Sequence, residues 1–166
     1  ELSAINRLRY DSWSELIEQG VKRGDMHPAG AQVFEKIWTS VFGTSEIALR
    51  LPFVLFGTFS ILLVFKIGNR WFNRQTGLIA SAILAVLYFP IIQSELARPY
   101  SPGLFISLLT AWYFGKVLFT TEKRTANALA LGLCFAAGMY THYFLFLFLL
   151  FVGFTGLFFL TKQNLR

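Results

Sequence analysis

The sequence predicts an all-α, polytopic membrane protein, with about five transmembrane helices preceded by an extracytoplasmic loop of amphipathic helices. Three observations predict it. Hydrophobic residues make up 55% of the 166 residues and charged ones only 14%, with 19 Phe and a mean hydropathy of +0.54. The apolar residues come in long runs rather than in the stripes of soluble helices. The charge is also uneven, with six Lys/Arg against seven Asp/Glu in residues 1–50, but nine against two in 51–166. The net charge of +6 therefore reports membrane topology and not a nucleic-acid surface.

Residues 1–45 form the first domain, a polar loop with short juxtamembrane amphipathic elements; 46–166 form the transmembrane region. No signal-peptide pattern opens the chain. Ser12-Trp13-Ser14-Glu15 fits a capping box and starts a short helix that stops at Gly20. A turn at Lys22-Arg23-Gly24-Asp25 leads to Met26-His27-Pro28, and Pro28 suits the first turn of a helix. In that helix Val33, Phe34, Ile37, Trp38, Val41 and Phe42 recur at helical spacing, with Glu35, Lys36 and Ser40 opposite. Because a spanning segment follows at once, this helix is expected to lie flat in the membrane interface.

Five spans can then be drawn, at about 47–67, 77–93, 102–119, 126–141 and 143–161. The last two come from one apolar stretch too long to cross a core of about 30 Å once. Tyr140-Thr141-His142-Tyr143 is the natural turning point. Cys134 lies inside an apolar run and reads as a small apolar filler.

Sidedness follows from the loops. Lys66, Arg70 and Arg74 flank the first connection, Lys116, Lys123 and Arg124 the third, and Lys162 and Arg166 the tail. These are alternate loops, so the positive-inside rule places all three in the cytoplasm. Residues 1–45, the stretch Gln93-Ser94-Glu95-Leu96-Ala97-Arg98-Pro99-Tyr100 and the turn at His142 then share the other side. Glu95 and Arg98 fall between two apolar runs, where either ion would cost about 2.5–3.5 kcal/mol at a helix centre, so an interfacial or functional place is expected. No ionisable residue falls in the middle of any span, which counts against a transporter or proton relay.

Asp25-Met26-His27-Pro28, Ser45-Glu46-Ile47-Ala48-Leu49-Arg50-Leu51-Pro52, the stretch from Gln93 to Tyr100, and Tyr140-Thr141-His142-Tyr143 follow in this order. Together they resemble glycosyltransferase family 39, the protein mannosyltransferase and aminoarabinose transferase group with the GT-C membrane fold. The resemblance covers nearly the whole chain as the N-terminal part of such an enzyme. It implies transfer of a sugar from a polyprenyl-phosphate donor to an acceptor hydroxyl of a protein, lipid or glycan, outside the cytoplasm, in a multi-pass protein of the cell (inner) membrane. It also implies an acidic Asp-Glu pair after a first transmembrane helix. Glu1 matches the second member, and on that alignment the catalytic Asp precedes Glu1 and this stretch alone would not turn over. Where the family often has His-Pro-Pro, this chain has His27-Pro28-Ala29.

Such a transfer needs a carboxylate to take the acceptor proton and cations for the departing phosphate. Arg98 is the candidate for phosphate, since a guanidinium binds such oxygens in a bidentate fork; the other reading is a structural pair with Glu95 at i, i+3. Glu95 would hold Arg98 or touch the sugar. Gln93 and Tyr100 would hydrogen-bond donor or carrier, or simply mark a helix end and an aromatic belt. Asp25 and His27 are candidates for acceptor, donor phosphate or a divalent metal ion, and His142 could join His27 or Glu1 around that metal. Arg50 reads as a residue snorkelling to the interface. The rival function is a non-catalytic membrane module, part of a transporter or a scaffold for a lipid carrier. Neither reading calls for nucleic acid.

Overall fold

A computed structural model describes Tyr10, residues 12–21 and residues 28–164, and every regular element among them is helical. Helix α1 (Trp13–Glu15) runs into a π-helical turn at Leu16–Val21. The expected cap is present, as Ser12 Oγ accepts from the Glu15 N–H at 3.1 Å. Helix α2 spans Gly30–Phe42 and stops at Gly43, whose φ of +84° belongs to the left-handed region that glycine tolerates. Lys36 Nζ donates to the Tyr10 carbonyl at 2.8 Å and lies over the Trp13 ring, which ties α1 to α2.

Helix α3 (Glu46–Trp71) starts at Ser45, whose Oγ accepts from the Ala48 N–H. Pro52 sits inside it. A proline has no N–H, so the carbonyl four residues back loses its intrahelical donor. That carbonyl belongs to Ala48, and the Trp38 indole Nε1 donates to it at 2.8 Å. One bond thus repairs α3 and docks α2 on it. Phe34 adds ring contacts to Phe53 and Phe56 of α3.

Asn73 caps α4 (Arg74–Val86) through Oδ1, and α5 (Tyr88–Glu95) follows after a 59° bend. The cause is Pro90, which can neither bond to the carbonyl of Val86 nor clear it in a continuous helix. The single span expected over 77–93 is therefore broken. Helix α6 covers Tyr100–Phe119, α7 Arg124–Thr141 and α8 Tyr143–Asn164. His142 alone, in extended backbone, separates α7 from α8, at the turning point the sequence marks. Helix α3 packs chiefly on α4 and α6, and α6 on α7. Glycines set these approaches: a Cβ on Gly68 of α3 would stand 2.7 Å from Gly77 Cα of α4.

Among the described residues, the expected count of five spans is corrected. By length and composition α3 and α6 are long and apolar enough to cross a membrane, and the bent α4–α5 pair makes a third if it counts as one span. Helix α7 dilutes its apolar residues with Arg124, Thr125, Asn127 and several Ala and Gly.

Helix α2 differs from expectation in one respect. Part of the polar face that the sequence sets opposite the apolar residues is turned into the protein: Glu35 is 4% exposed and Gln32 2%, whereas Val41 is 70% exposed. An interfacial helix ordinarily turns its polar stripe to water and headgroups, whereas here part of that stripe is covered by protein.

Candidate functional site

The stretch between α5 and α6 is held by Ala97. Ala97 is buried against Phe53 of α3, and one turn later Ser101 Oγ donates to the Phe53 carbonyl at 2.6 Å. With Ala97 pinned and the Arg98 N–H closing a tight turn onto the Leu96 carbonyl at 2.8 Å, Arg98 is left exposed at the tip. Glu95 is exposed too, and the pair forms no ion pair. The structural reading of Arg98 as a partner of Glu95 thus has no support in the geometry. Gln93, in α5, is half-buried, and its Oε1 is shielded from solvent without a hydrogen-bond partner.

Tyr100 opens α6, and its ring centroid lies 5.2 Å from that of His142. His142 is 6% exposed and stacks on Phe144. Its Nδ1 accepts from the Phe144 N–H at 3.2 Å, so a neutral imidazole carries its proton on Nε2 and presents a donor there. Between these residues lies a cavity of about 250 Å³, open on one side, with Ser107 on its polar wall and Leu145 and Phe148 on its apolar one. It contains hydroxyl and imidazole donors and aromatic faces but no carboxylate among its lining residues. Such a wall can bind and orient an oxygen-rich ligand with an apolar body; it does not supply a base.

The first turn of α2 joins the same end. Gly30 rests directly on the Tyr140 carbonyl in the last turn of α7, leaving no room for a Cβ. The beginning of α2, the α5–α6 turn and the α7–α8 joint therefore meet, as the sequence reading requires. Glu1, Asp25 and His27 lie outside the described residues, and so does the metal set proposed around them. Among the described residues no three His, Cys, Asp or Glu form a group that could hold a metal ion. Sequence reasoning overlooked Gln32 and Thr39 and left Glu35 on the polar face; all three are buried. Their i, i+3, i+7 spacing marks one polar stripe along α2, but spacing alone does not say whether that stripe meets water or protein.

Among comparisons with known proteins, residues 26–166 match the family described as dolichyl-phosphate-mannose-protein mannosyltransferase. No curated protein and no solved structure matches. The match begins at Met26, just ahead of the α2 entry, and runs through both the α5–α6 turn and the His142 joint. The chain belongs to this family, whose members are membrane glycosyltransferases of the mannosyltransferase kind.

Proposed function

We propose that the chain is the N-terminal part of a glycosyltransferase that draws its sugar from a polyprenyl-phosphate donor and works on the extracytoplasmic face of the cell (inner) membrane. The acceptor is a hydroxyl of a protein, lipid or glycan. The observation that carries this reading is the meeting of Arg98, Tyr100, His142 and the start of α2 at one end of the bundle.

In the transfer, the acceptor oxygen bonds to the anomeric carbon as the bond from that carbon to the phosphate oxygen breaks. The electron pair leaves with the polyprenyl phosphate, whose charge rises in the transition state. Arg98 receives that phosphate in a bidentate fork, a reading supported by its exposure and the lack of an ion pair with Glu95. Tyr100 Oη and His142 Nε2–H supply neutral donors to sugar or phosphate oxygens. The acceptor proton goes to the acidic pair at Glu1, by resemblance, and not to any residue of the cavity wall. Glu95, Gln93, Asp25 and His27 complete the candidate set around donor and acceptor, and a divalent metal ion held from Asp25, His27 and His142 remains part of the proposal.

The test is a cell-free transfer assay on the full-length protein with a labelled lipid-linked sugar. Arg98→Ala lowers kcat/KM by about 10²–10³-fold, and Arg98→Lys, which keeps the charge but not the fork, falls between. Full transfer by Arg98→Ala removes the assignment.

A further inference from the structure

The opposite end of the bundle carries a second, unassigned polar cluster. Arg70, in the last turn of α3, places its guanidinium carbon 5.5 Å from the centroid of the Trp112 ring. Lys116 Nζ, in the last turn of α6, lies 5.0 Å from the same ring and 5.7 Å from that of Tyr113. Arg70 Nη2 donates to Thr120 Oγ1 at 2.6 Å, so the cluster ties the ends of two helices together. Trp71 closes one side, since a Cβ on Gly115 would stand 2.8 Å from its Nε1.

No carboxylate among the described residues pairs with Arg70 or Lys116; the Glu46–Arg50 ion pair lies at the other end of α3. Both cations lean on one indole, so their charges sit within about one Debye length at 0.1 M salt, roughly 10 Å. A bias of cations toward one membrane side explains their presence but not this arrangement. Here both cations are drawn over one indole, and an anion between them would lower their mutual repulsion.

We propose that Arg70 and Lys116, set on Trp112, bind the headgroup phosphate of an anionic phospholipid in the leaflet opposite the Arg98 end. The ligand is a lipid and not a soluble anion because the cluster crowns the two helices long and apolar enough to span a membrane, at the depth where Trp and Tyr rings meet headgroups. Lys66, Arg74, Lys123 and Arg124 lie close by in sequence and add to the field, against Glu122 as the acid of that loop.

Native mass spectrometry of the full-length protein in a neutral detergent tests this, with phosphatidylglycerol or phosphatidylcholine added at equal concentration. Phosphatidylglycerol adducts are expected to persist in preference to phosphatidylcholine. Arg70→Gln or Lys116→Gln alone should lower phosphatidylglycerol retention about fivefold, and the pair about thirtyfold, with phosphatidylcholine unchanged. Arg70→Lys with Lys116→Arg should keep the preference. If the doubly neutralised chain loses helicity by circular dichroism, Trp112→Leu, with both cations in place, replaces it and should lower the preference severalfold. Equal retention of the two lipids by the wild type, or an unchanged preference in the neutralised or Trp112→Leu variants, overturns the proposal. So does displacement of phosphatidylglycerol by millimolar inorganic phosphate, which would make the site one for a soluble anion.

Discussion

Replacing Trp38 with Phe should destabilise the protein through a carbonyl on another helix. Pro52 deprives the Ala48 carbonyl of its backbone donor, and the Trp38 Nε1–H takes that place at 2.8 Å. Ala48 is buried, so Trp38→Phe strands an acceptor where water has little access, at about 1–3 kcal/mol. Some of any loss would come from packing, because Trp38 also stacks on Phe34 and on Phe42 at 4.1 Å between centroids. Pro52→Ala separates the two terms. It would restore a backbone N–H to the Ala48 carbonyl, leaving the indole bond redundant. Trp38→Phe should therefore cost about 1 kcal/mol less in the Pro52→Ala background than in the wild type. Reversible unfolding in mixed micelles, followed by far-UV circular dichroism, measures the cycle. Additivity within about 0.5 kcal/mol would refute the idea that the indole repairs the proline gap.

Glycines give a second contrast: Gly68→Ala must push α3 from α4 and should cost about 1–3 kcal/mol, whereas Gly132→Ala, with open space around it, should stabilise α7 by up to about 1 kcal/mol. Paired melts of the two variants check the sign. At the site, His142→Asn can still accept the Phe144 N–H and should fold nearly as well as the wild type, while His142→Ala loses that acceptor and should melt earlier. Both should slow sugar transfer, and full transfer by either would remove His142 from the donor set. Charge reversal at Glu35 should disrupt the seat of α2, because the side chain is 4% exposed; limited proteolysis of the α2 region would report it.

Much of this was legible in the sequence. The helix start at Ser12 and the turn at His142 were readable because caps and polar breaks are local signals with local causes. The meeting of the α5–α6 turn, the α7–α8 joint and the α2 entry was deducible from alternating cationic loops, a constraint the bilayer imposes on every connection at once. What escaped depends on contacts between distant residues. The break at Leu87 needs Pro90 weighed against a strong apolar run, and hydropathy alone favours an unbroken span. Burial of Glu35 depends on which way α2 rolls, and periodicity gives two faces without saying which meets lipid. The Trp38 bond to Ala48 joins two elements, and only the missing N–H of Pro52 hints at it.

The arrangement rests on Arg98, His142 and the start of α2 sharing the non-cytoplasmic side. Cysteine accessibility in intact cells tests this directly, with Cys134 replaced by Ala and single cysteines at Ala29 and Arg74. A membrane-impermeant maleimide is expected to label the Ala29→Cys protein from outside and to reach Arg74→Cys only after lysis. Labelling of Arg74→Cys from outside, with Ala29→Cys protected, would invert the topology and contradict the proposed site.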